Sequence, residues 1–178
     1  MESVNNNYSD LSELEQKIQK SLERVRDEYT QLDVNLKNQK WITNKIKEYL
    51  GELGSSFGYE ISSSFHNQEW LYDVVWYKNN ENNILEKTIL VVESELSNRS
   101  INSLKYDFEK LLLSNSDLRV MICFGQGNFN FPQNVNGIIE SFNNYVTTYQ
   151  NLNSGDRILI LVWDDYMTGE VYPHLIIK

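Results

Sequence analysis

Three stretches of nearly unbroken apolar residues limit what this chain can fold into: ILVV at 89–92, LRVMICF at 118–124 and RILILVW at 157–163. Each is far too short to cross a membrane as a helix, and each is rich in residues that favour strands. A strand that is apolar on successive residues must be covered on both of its faces. Segments of helical period supply the cover. Leu11, Leu14, Ile18, Leu22, Val25, Tyr29, Leu32 and Leu36 recur at steps of three or four, so a long first helix runs to about residue 36. Asp10 stands three before Glu13, the spacing of a capping box at its start. The stripe must be buried, either on the parent domain or on a second copy of itself; the second case makes a homodimer through the N-terminal helix.

A second helix is expected over 39–53, with Ile42, Ile46, Tyr49, Leu50 and Leu53 facing inward. The period then changes to two. Strands are expected at 59–65, 69–77 (EWLYDVVWY) and 88–96 (TILVVESEL), with a turn over 78–87 between the last two. A helix over 102–114 buries Leu104, Phe108, Leu111 and Leu112, and the strand at 118–124 follows. The segment GQGNFNFPQNVNG, 125–137, reads as a loop, and Ile138, Phe142, Tyr145, Val146 and Tyr149 form the inner stripe of a further helix. Strands at 157–163 and 171–177 close the chain as a hairpin. The order predicts an α/β domain with a mixed sheet, residues 39–178, preceded by a helical extension, residues 1–38.

Composition excludes several function classes. Sixteen Lys and Arg against 25 Asp and Glu leave a net charge of −9 over 178 residues, which argues against a protein that coats phosphates over a broad face. It leaves room for a local nucleic-acid site, since net charge does not say where charges sit. A single cysteine, Cys123, removes any intrachain disulfide or cysteine-rich zinc site, and His66 and His174 are the whole histidine content. The polar, acidic N-terminus resembles neither a secretory signal nor a transit peptide, and no membrane partner is expected, so the expected compartment is cytoplasmic. Gly125 and Gly127 follow a strand without a third glycine, a weak phosphate-loop pattern. Trp70 and Trp76 are candidates for base stacking if exposed.

The strands carry an anomaly. Asp73 lies among Leu71, Tyr72, Val74 and Val75, and Glu93 ends the run ILVV. Burying such charges is costly without partners. Glu95 is two residues on and projects from the same face as Glu93. If the second and third strands pair, three carboxylates converge, and a hard divalent cation with oxygen ligands would relieve their repulsion. The bland alternative is an exposed strand end with Asp73 in a structural hydrogen bond.

Helix, three strands, helix, strand, with an acid in WLYDVVWY and an acid pair in VVESEL, resembles the PD-(D/E)xK nuclease superfamily, the restriction-endonuclease-like fold, over about 39–124. The resemblance implies an αβββαβ core whose mixed sheet is flanked by helices. It implies phosphodiester hydrolysis with Mg²⁺ or Mn²⁺, on nucleic acid, with DNA ahead of RNA. Asp73, Glu93 and Glu95 would supply the metal and catalytic acids, and Glu48, with Glu52 behind it, the acid often found on the first core helix. The sequence departs from the pattern where Glu95 replaces the motif lysine. Lys110, on the following helix SLKYDFEKLLLS beside Tyr106, is the candidate replacement, with Lys105 and Arg99 as second choices. The alternative is a catalytically inactive module that keeps the fold for protein contacts.

Overall fold

Strands that are apolar on both faces belong in the middle of a sheet, and they lie there. The computed structural model describes residues 11–66, 69–97, 101–125, 131–164 and 169–178. Six strands form one sheet in sequential order: β1 (Glu60–Ser62), β2 (Val74–Asn79), β3 (Leu85–Glu95), β4 (Leu118–Phe124), β5 (Arg157–Trp163) and β6 (Val171–Ile177). The pairs β3–β4 and β4–β5 are parallel; β1–β2, β2–β3 and β5–β6 are antiparallel. Every residue of β4 is buried.

Four helices cover the two faces: α1 (Glu13–Gln31), α2 (Gln39–Ser56), α3 (Ile101–Leu112) and α4 (Phe131–Thr148). Alternation along each strand feeds two separate cores. Leu90, Val92, Val120, Ile122, Leu159 and Leu161 pack with Ile18, Leu22, Ile42, Ile46 and Leu50 of α1 and α2. Val91, Met121, Cys123, Ile158, Ile160 and Val162 pack with Leu104, Phe108, Ile138 and Phe142 of α3 and α4. The result is a three-layer α/β arrangement, and no helix among the described residues is long and apolar enough to cross a membrane.

Several boundaries differ from the sequence reading, each for a physical reason. Ser12, not Asp10, caps α1: its hydroxyl accepts from Glu15 N at 3.3 Å while Glu15 Oε2 accepts from Ser12 N at 2.7 Å. Asp10 lies outside the described residues. The helix stops at Gln31, and a 3₁₀ turn, Val34–Leu36, turns Leu36 out to 54% exposure. Leu11, Ile18, Leu22 and Val25 are buried in the core with the chain's own α2 and sheet, Ile18 and Val25 fully, and Leu14 and Tyr29 pack against it half-buried. Of the two expected coverings, the parent domain is the one that this packing favours over a twin helix. The expected loop at 125–137 gives way to helix from Phe131, with Pro132 in the first turn, where its missing N–H is harmless. Strand β2 begins only at Val74, so Trp70, Leu71, Tyr72 and Asp73 precede it. Strand β3 starts at Leu85, inside the expected turn, and carries a bulge at Ile89, since Trp76 pairs with Leu90 and Tyr77 with Thr88.

Candidate functional site

The register of β2 and β3 brings the acids together. Val74 pairs with Val92 in antiparallel sense, so the chain just before Val74 and just after Val92 places Asp73 opposite Glu93 at one end of the sheet. Asp73 is not a mid-strand residue, as its neighbours suggested, but caps the strand from outside. Both of its oxygens are engaged: Oδ2 accepts from Ser94 N at 2.8 Å and from Ser94 Oγ at 2.7 Å, and Oδ1 lies 3.0 Å from Lys47 Nζ.

Glu93 is only 5% exposed. Burial, reinforced by the charge of Asp73, pushes its pKa up to about 7 in spite of Lys110. Lys110 stands in the last turn of α3, and its Nζ lies 2.5 Å from Glu93 Oε1. The contact is a close ion pair whose angles do not make a regular hydrogen bond for that buried oxygen. Tyr72 braces the lysine: its hydroxyl donates to Lys110 O at 3.3 Å, and its ring centroid lies 5.2 Å from Lys110 Nζ. Tyr106 does not share this task; it is 77% exposed. Glu95, at the strand end, accepts from Ser97 N at 2.7 Å and Ser97 Oγ at 2.6 Å.

Two site residues escaped the sequence reading. Asp107 of α3 is half-buried, and its pKa is raised by burial first and then by the charges of Glu95 and Asp73, with Lys110 acting against them. Lys47 of α2 is 5% exposed and meets Glu69 Oε2 at 2.6 Å and Ser64 Oγ at 3.0 Å as well as Asp73. Burial works to lower the Lys47 pKa, but Glu69 and Asp73 outweigh it and hold the pKa above its ordinary value. The α2 residue turned toward Asp73 is therefore this lysine, not the acid next to it. Glu48 instead meets Lys45 at 2.7 Å, because successive helix residues point about 100° apart. Glu52 is exposed, and Lys105 pairs with Glu109 at 3.5 Å. Arg99 and Gly127 lie outside the described residues.

The remaining candidates have structural surroundings. His66 Nδ1 is 3.0 Å from Ser63 Oγ, and its ring lies so close to α2 that a Cβ on Gly51 would sit 1.8 Å from Cε1. His174 Nε2 is 3.3 Å from Asn143 Nδ2, and burial lowers its pKa. Cys123 is fully buried, which pushes its thiol up to about 12. Trp76 is fully buried, whereas Trp70 is 43% exposed.

An oxygen-only donor set suits Mg²⁺ or Mn²⁺ by its hardness. As arranged, however, Asp73 is held by Lys47 and Ser94, and Glu93 by Lys110. Among the described residues no group of three His, Cys, Asp or Glu is placed to hold a metal ion. The residues thus do not present a ready metal site, and the two lysines supply the neutralising charge. No family of known proteins, no curated protein and no solved structure matches the chain.

Proposed function

We propose that the chain is a nuclease-like protein of the PD-(D/E)xK kind that acts on nucleic-acid phosphodiesters, DNA ahead of RNA, at the cluster of Asp73, Glu93, Glu95 and Lys110. The observation that carries the reading is the Lys110 amine, 2.5 Å from Glu93 Oε1. It puts a cation beside the acids although position 95, where the motif has its lysine, is a carboxylate. The element order from α2 through β1, β2, β3 and α3 to β4 supports it as well, being the αβββαβ order of a restriction-endonuclease-like core.

The side chains divide the chemistry. A carboxyl with a pKa of about 7 exchanges its proton near neutrality, so Glu93 can take a proton from an attacking water. Lys110 is placed to offset the negative charge that develops on the phosphorus oxygens. Asp73, fixed by Ser94 and Lys47, keeps the cluster in register. Mg²⁺ or Mn²⁺ is the cofactor that the resemblance implies, and calorimetric titration with each ion is its direct test.

Cleavage of single- and double-stranded DNA and RNA, with and without each metal, tests the whole reading. Active wild type, with Lys110→Ala slower by about a hundredfold or more, is expected. A wild type that cuts nothing and binds no ion favours the second reading, an inactive module for protein contacts. That reading draws on the same lysines, which already offset the charges of Asp73 and Glu93 without any ligand.

A further inference from the structure

On the α3 side of the sheet, a cleft of about 240 Å³ opens beside the acids, walled by Trp70, Leu71, Tyr72 and Leu113 and floored by Val75 and Val91. Its walls are unusually greasy for surface: Leu71 is 74% exposed, Leu113 72% and Trp70 43%. The Trp70 ring is not loose, since it lies against Tyr77 with centroids 4.6 Å apart. The cleft is smaller than the roughly 300–1,000 Å³ that encloses a whole drug-sized ligand, so it suits one flat ring rather than a cofactor.

Its position says which ring. Tyr72 is both a wall of the cleft and the brace under Lys110. Val91 in the floor and Glu93 in the cluster share a strand face two residues apart, a separation of roughly 7 Å. A phosphate at Lys110 therefore has its own base, or the next one, over the cleft, provided that base is not paired in a duplex. Aromatic walls accept any base by stacking, and Asn115 at the rim offers an amide that matches base edges.

We propose that this cleft binds an unpaired nucleobase of the strand whose phosphodiester lies at Lys110 and Glu93, so that the preferred substrate is single-stranded or locally unpaired. The proposal rests on the phosphodiester reading above, and the test separates the two. Anisotropy titrations, in EDTA and again in Ca²⁺, would compare a short labelled single strand, the same strand made abasic, and its duplex. The wild type should bind the normal strand tightest. Trp70→Leu and Leu113→Ser, both at exposed positions, should each weaken that binding by about tenfold and leave the abasic strand unchanged. Equal affinity for normal and abasic strands, or variants that bind like wild type, would overturn the cleft proposal while the phosphodiester reading stands. Failure to bind any strand in either condition would overturn both. Self-association of the wild type that Trp70→Leu abolishes, seen by light scattering, would give the cleft to a second copy of the chain and overturn the proposal as well.

Discussion

Glu93 carries the sharpest consequence at the scale of single residues. Its carboxyl has an ordinary pKa of 4.5 and a folded value of about 7, raised chiefly by burial. Between those values the folded state holds a proton that the unfolded chain has lost, so stability falls as pH rises through the window and stays lowered above it. Glu93→Gln removes the penalty. Chemical denaturation between pH 4 and 8 isolates the Glu93 contribution as a difference: the stability of the wild type relative to Glu93→Gln should fall as pH rises from about 4.5 to 7 and stay lowered above that. Lys110→Met should push the Glu93 pKa higher still, and carboxyl-carbon NMR titration would read that directly. Identical pH profiles for the wild type and Glu93→Gln would mean that Glu93 ionises as freely in the fold as in the unfolded chain. Asp73 and Glu93 drew attention because each is a charge set against an apolar run, and Lys110 because the resemblance lacks its motif lysine at position 95. Lys47 broke none. It sits on α2 next to Ile46 like any solvated helix lysine, and what it meets, Ser64, Glu69 and Asp73, lies outside any stretch of helical period.

Whole elements were legible where apolar runs end in turn residues. The strands at 118–124, 157–163 and 171–177 lie as the sequence places them: Asp117 and Gly125 bound the first, Asp156 and Asp164 the second, and Gly169 stands two before the third. Strand β2 was drawn too long for the opposite reason: Trp70, Leu71 and Tyr72 read as strand residues but form a cleft wall. The start of α1 was misplaced by two residues, since Asp10–Glu13 and Ser12–Glu15 match the same capping rule. What distinguishes them is Arg157, 142 residues away, whose Nε and guanidinium nitrogen Nη2 each donate to Glu15 at 2.7 Å. Glu15 is 1% exposed, and although burial raises its pKa, the bonds from Arg157 and Ser12 outweigh this and hold it below the ordinary value. This bidentate pair ties the first turn of α1 to the start of β5. Arg157→Met leaves a buried carboxylate without its counter-charge and should cost about 3 kcal/mol, the low end for breaking a buried pair because the arginine is partly exposed. Replacing Glu15 as well, by Met, should recover part of the loss. Urea unfolding of the two variants checks both numbers, and a loss under about 1 kcal/mol for Arg157→Met would mean the pair behaves as a surface contact.

The molecule as a whole is acidic, with a net charge of −9, and a nucleic-acid site on such a body must work against its own long-range field. A protein that grips phosphates along a basic face releases many counterions and loses affinity steeply as salt rises. Among the described residues the cations at the cluster are Lys110 and the buried Lys47, and both are already paired with carboxylates. At most two phosphate contacts are available from them, which for a single strand caps the slope of log affinity against log salt at about −1.4. A base stacked in the Trp70 cleft, as proposed, would add affinity with little salt dependence. Binding to a short single strand should therefore be weak, shallow in salt, and sensitive to Trp70→Leu at every salt concentration. Anisotropy titrations from low to moderate ionic strength would measure this. A slope much steeper than about −1.4 would require phosphate contacts from cations beyond Lys110 and Lys47, and would mean that this pair does not carry the binding alone.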